Sequence, residues 1–202
     1  MKKNVFTLIV AVAFAVSNVF AGSDAPVPAV RKMLFAGLKD GYFSSDYYTG
    51  DQIAENFDIS PEAMDEFING AFYDAFKDVA VKKNLHLTVC DEMAKRMMAD
   101  IRYDYDGDML YSDLSKINEK EYRDVLQQAQ AEYLLVFDQY YIKKEGYPYD
   151  NFAHIFHYSV YDTSKNKVYD GHYRFTAFDL GTLSMLQKQI KKAADKCIRS
   201  IP

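Results

Sequence analysis

The chain has 202 residues, with 24 Lys and Arg against 29 Asp and Glu, and it carries 17 Tyr and 14 Phe but no Trp. A net charge of −5 disfavours phosphate backbones and anionic membrane surfaces, so nucleic acid is not an expected partner. The length suits one domain with a sizeable core.

Residues 1–21 read as a cleavable signal peptide. Lys2 and Lys3 open it, an apolar run follows from Val5 to Val16, and Val19-Phe20-Ala21 puts a small residue at the cleavage position. About twelve apolar residues are too few to cross a bilayer core of roughly 30 Å as a helix, and no later stretch approaches the roughly 18 required. No transmembrane segment is expected. Ala21-Gly22-Ser23 lacks the cysteine a lipid anchor would need. The expected mature chain, residues 22–202, is a single, acidic, exported domain.

After a Pro-containing leader, residues 30–38 suit a first strand that runs into the turn Lys39-Asp40-Gly41. A polar, aromatic stretch follows over residues 42–58. Ser60-Pro61-Glu62 then marks a helix start, with Ser as the cap and Pro at the first helical position. Met64, Phe67, Ile68, Ala71, Phe72, Ala75, Phe76 and Val79 recur at three- and four-residue steps, which predicts an amphipathic helix to about Lys82. Leu85, Leu87 and Val89 alternate with His86, Thr88 and Cys90 as a half-buried strand does. Asp91 can cap a second helix to about Arg102, and a third spans about 119–131. Tyr133-Leu134-Leu135-Val136-Phe137 suits a central strand buried on both faces. Residues 152–162 and 167–178 flank a four-residue polar loop and should pair antiparallel. A helix over 183–199, with Leu186, Ile190, Ala194 and Cys197 inward, closes the chain. The sum is an α+β domain, an α/β sandwich in which a mixed sheet with a C-terminal antiparallel hairpin packs against helices.

Four constellations bear on chemistry. Asp104, Asp106 and Asp108 alternate as in the first half of an EF-hand loop and form a candidate calcium site, although Met109, Tyr111 and Ser115 depart from the rest of that pattern. Cys90 and Cys197, an even pair in an exported chain, are expected to form a disulfide closing a loop of about 107 residues, with two separately buried thiols as the alternative. The hairpin register sets His157 opposite His172, with His154 on the other face; two imidazoles alone rarely hold zinc, so cross-strand packing is expected. Neither Gly-x-Ser-x-Gly nor Ser-x-x-Lys is present, and no Gly-rich phosphate loop occurs.

The strand 85–89, the phrase Ala131-Glu132-Tyr133-Leu134-Leu135-Val136 and the hairpin around Asp162-Thr163-Ser164-Lys165-Asn166-Lys167, followed by a closing helix, resemble the periplasmic α/β domains of the TolB amino-terminal and CsgG-like type over residues 31–201. That resemblance implies a non-enzymatic domain that binds other cell-envelope proteins. The expectation is thus an exported interaction or assembly domain without a cofactor. The rival is a small extracellular hydrolase using paired carboxylates on a polymer.

Overall fold

The computed structural model describes residues 31–39, 43–90, 92–146 and 151–201. The signal segment, the leader, most of the Lys39-Asp40-Gly41 turn and the Asp91 cap lie outside the described residues. Strand β1 (Arg31–Ala36) runs parallel between β3 (Leu85–Val89) and the first half of β6 (Tyr133–Glu145). The short β2 (Phe43–Ser45) adds to the second half of β6, also in parallel. Beyond β6, strands β7 (Asn151–Asp162) and β8 (Lys167–Ala177) continue antiparallel, giving the order β3-β1-β6-β7-β8. The mixed sheet and C-terminal hairpin are those expected, and His157 does stand opposite His172.

Strand alternation divides the buried side chains between two faces. On the first face, Met33, Phe35, Leu135, Phe137, Phe156 and Val160 meet helices α1 (Gly50–Phe57), α2 (Met64–Ala80) and α5 (Leu183–Ser200). Phe72 of α2 anchors this core, with its ring centroid 3.8 Å from Phe137 and 4.9 Å from Phe156. On the second face, Leu34, Ala36, Leu134 and Val136 meet α3 (Glu92–Ala99) and α4 (Glu119–Ala129). The rest of that face is covered by a hairpin of β4 (Arg102–Asp106) and β5 (Met109–Asp113), with β5 lying over β6 and β7.

Several boundaries differ from expectation for local reasons. Helix α1 occupies a stretch that reads as irregular, nucleated by a capping box in which Thr49 and Gln52 bond each other's backbone. Ser60 makes no capping hydrogen bond, because a 3₁₀ turn over Pro61–Ala63 intervenes before α2. Helix α3 stops at Ala99, and Arg102 already belongs to β4. Strand β6 is more than twice the length of its apolar run, because polar residues beyond Phe137 are paired and covered by the hairpin.

Candidate functional site

The crossover after β1 packs α1 and α2 on the first face, whereas the chain leaving β3 enters α3 on the second. Adjacent parallel strands whose following helices diverge in this way leave a crevice at their carboxyl ends, the usual ligand position in open α/β sheets. Here the crevice has a volume of about 740 Å³. Its walls are mainly apolar, with Phe35 near the end of β1 and Leu38 after it, Tyr73 on α2, Val89 at the end of β3, Met98 on α3 and Ile101 just beyond it.

Several polar groups in this wall are already engaged by the protein itself. The Asn69 carboxamide brackets Leu38, accepting from its N–H and donating to its carbonyl at 3.0 Å. Gly37 makes this possible, since a Cβ there would lie 2.7 Å from Asn69 Oδ1. Lys39 Nζ donates to the carbonyls of Ala99 at 2.9 Å and Ile101 at 3.5 Å, neutralising the end of α3. Cys90 Sγ donates to Phe35 O at 2.8 Å. Among the described residues Glu66 is the single carboxylate of the lining. Gly70, in the exposed middle of α2, also borders the crevice, and a Cβ added there meets nothing within 4 Å. Glycine in a helix interior costs about 1 kcal/mol relative to alanine. Its presence here keeps this wall low.

A second cluster is polar but closed. The bulge between Phe137 and Gln139 makes Asp138 the extra residue of β6; alternation with Leu134 and Val136 puts it on the second face, and the bulge brings Gln139 to that face as well. His157 Nδ1 lies 3.1 Å from Asp138 Oδ2, and its Nε2 lies 2.9 Å from Asp170 Oδ1. Ser159 donates to Asp138 Oδ2 at 2.6 Å, and Lys167 reaches Asp170 Oδ2 at 3.0 Å. Burial pulls the His157 pKa down, but the two carboxylates outweigh it and hold the imidazole at about 9, charged at neutral pH. Tyr111 of β5 covers the ring edge-on at 4.6 Å, and Gln139 ties β5 down by accepting from Leu110 N–H at 3.0 Å. Asp138, His157 and Ser159 are between 0% and 1% exposed, which denies a substrate any approach.

The remaining candidate residues do not converge. Asp104 and Asp106 lie along β4, and Asp108 sits in the two-residue turn to β5, paired with Lys143. The EF-hand loop is therefore a β-hairpin, and among the described residues no three carboxylates, imidazoles or thiols gather as metal ligands. The expected disulfide is also corrected, since neither cysteine is joined to the other. Cys197 is buried in the first-face core, while Cys90 packs with Met98 on the second, so the sheet separates them. His86 is exposed on β3, and His154 is buried on the first face, where its Nδ1 bonds Tyr140 OH at 2.8 Å. Sequence reasoning missed the Asp138 cluster, although a carboxylate inside the run Tyr133-Leu134-Leu135-Val136-Phe137-Asp138 was a usable signal.

Fold and crevice together define a single α+β domain with a mainly apolar crevice at the carboxyl ends of β1 and β3. No protein-family model matches the chain, and no curated protein matches it in sequence. In fold it is similar to the PelC dodecamer from Paraburkholderia phytofirmans, at 8% identity over 84% of this chain and 87% of that one, with a TM-score of 0.36. It is likewise similar to the hypothetical protein CT253 from Chlamydia trachomatis, at 10% identity, 86% and 94% coverage and a TM-score of 0.46. Lipoprotein GNA1162 from Neisseria meningitidis gives 9% identity, 84% and 98% coverage and a TM-score of 0.40. None of these three carries the name TolB or CsgG, and what they share with this chain is the fold alone.

Proposed function

We propose that this chain is an exported, non-catalytic envelope protein that binds another envelope protein by receiving the partner's apolar side chains in the crevice between β1 and β3. The observation that carries this reading is the crevice itself, with a volume inside the range of ordinary ligand sites and mainly apolar walls in which Lys39 and Asn69 are bonded to the protein's own backbone. The signal-like segment over residues 1–21 supports export. A hydrolase acting through two carboxylates would need both at one open site; the crevice offers Glu66 alone among the described residues, whereas Asp104 and Asp113 line a smaller hollow beside β5.

Photo-crosslinking in intact cells tests the proposal. A benzoyl-phenylalanine at Val89, which lines the crevice and is 55% exposed, should yield one discrete adduct with an envelope protein. The same probe at Val81, exposed at the far end of α2, should yield none. Adducts of equal yield from both positions, or from neither, would count against the crevice.

A further inference from the structure

We propose that the open edge of β8 is a second docking surface, where an extended acidic segment of a partner protein adds as a further strand. Strand β8 ends the sheet and spans 11 residues, whereas the opposite edge, β3, spans five. Lys196 of α5 donates to the carbonyl of His172 at 3.1 Å, so that carbonyl points away from β7. Antiparallel alternation then turns the backbone groups of Asp170, Arg174 and Thr176 outward as well. A row of outward N–H and C=O groups is the template that strand addition uses.

Charge fixes the kind of strand. Around this edge Lys167 pairs with Asp170, Arg174 with Glu145 and Arg199 with Asp195. Lys192 and Lys196 belong to none of these pairs, and both are exposed. Gln189, which accepts from Tyr173 OH of β8 at 2.8 Å, stands three and seven residues before them, so all three share the face of α5 turned toward β8. Two ammonium groups thus flank the edge of a chain whose net charge is −5. An incoming strand with carboxylates at alternate positions places them on the α5 side, against both lysines. In its absence Lys196 satisfies the central carbonyl, as lysines do at natural sheet edges.

The test is fluorescence anisotropy with a labelled, end-blocked nine-residue peptide of alternating valine and glutamate, set against its valine–lysine counterpart. The glutamate peptide should bind and the lysine peptide should not. Charge reversal by Lys192→Glu with Lys196→Glu should weaken binding about tenfold or more. His172→Pro removes an outward N–H while leaving the bonds to β7, and should abolish binding with the melting temperature held; should that variant not fold, N-methylation of alternate peptide residues must abolish binding to the unaltered protein. No binding by the glutamate peptide, equal binding by both peptides, or indifference to N-methylation overturns the proposal. So does a dimer in sedimentation that His172→Pro dissolves, since the edge then serves a second copy. Gly70→Trp, which obstructs the crevice, should leave this binding unchanged and so separates the two surfaces.

Discussion

Two regions of the molecule invert the usual relation between polarity and access. At the carboxyl ends of β1 and β3 an open crevice is lined by apolar side chains. Under the β4–β5 hairpin, Asp138, His157, Ser159 and Asp170 form the kind of constellation from which catalytic sites are built, yet the first three are sealed from solvent. Asp138, His157 and Ser159 sit where nothing can reach them, and the crevice holds Glu66 as its one carboxylate among the described residues. On the proposed reading the open hollow receives apolar side chains, while the cluster acts as a buried ionic staple on the second face.

The largest expected effect breaks that staple. Asp138→Ala leaves the His157 imidazolium facing only Asp170, and should cost about 3–5 kcal/mol in denaturant unfolding. Replacing Asp138 and His157 together by leucine should recover most of the loss, because no uncompensated charge is then buried. If the double variant is as unstable as the single one, the pair contributes more than mutual neutralisation.

The next effect comes from two histidines of one strand with opposite surroundings. His154 stacks on Phe175 with ring centroids 4.5 Å apart, and burial lowers its pKa to about 4. His157 is equally buried, but its carboxylates raise it to about 9. The stabilisation from His157 is complete below its ordinary pKa of 6.5 and lost as pH rises through 9, since the native state holds the proton longer. That from His154 is present above 6.5 and lost as pH falls through 4. Each should move stability by on the order of 2 to 4 kcal/mol. Stability measured against pH should therefore crest near 6.5, and the double leucine variant should lose the alkaline decline but keep the acid one.

A smaller effect is read chemically. Burial pushes the Cys197 thiol up and hides it, while Cys90 is half-exposed beside the crevice. A thiol reagent should label Cys90 quickly in the native protein and Cys197 only on unfolding. Resistance of both thiols even after unfolding without reductant would restore the disulfide.

Much of the fold was legible because periodicity reports which face is buried. The three- and four-residue steps through Phe72 and Phe76 and the alternation through Leu85 and Leu87 specify α2 and β3 without knowledge of their neighbours. The pairing of His157 with His172 is the one a four-residue loop predicts, but it arises with Tyr161 opposite Lys167 and a register shift between Val160 and Tyr161 that restores it. The sites were less legible. Asp104, Asp106 and Asp108 suggest a calcium loop because carboxylates at alternate positions suit a strand as well as an ion, and Gly107 at φ 62° turns them into a hairpin. Cys90 and Cys197 read as partners because chain order does not reveal that the sheet lies between them. The crevice is invisible in sequence, since it arises from the divergence of two connections and not from any local motif.

The decisive comparison sets Gly70→Trp beside the double leucine variant, measuring melting temperature and the yield of the Val89 photo-adduct in the same cells. Filling open space on α2 should leave stability within about 1 kcal/mol of the parent, because tryptophan is a better helix former than glycine. The account predicts that Gly70→Trp keeps its fold and loses the adduct, while the leucine variant shifts its pH profile and retains the adduct. The opposite pattern, with the adduct surviving a filled crevice and vanishing when the folded protein lacks Asp138 and His157, would contradict it.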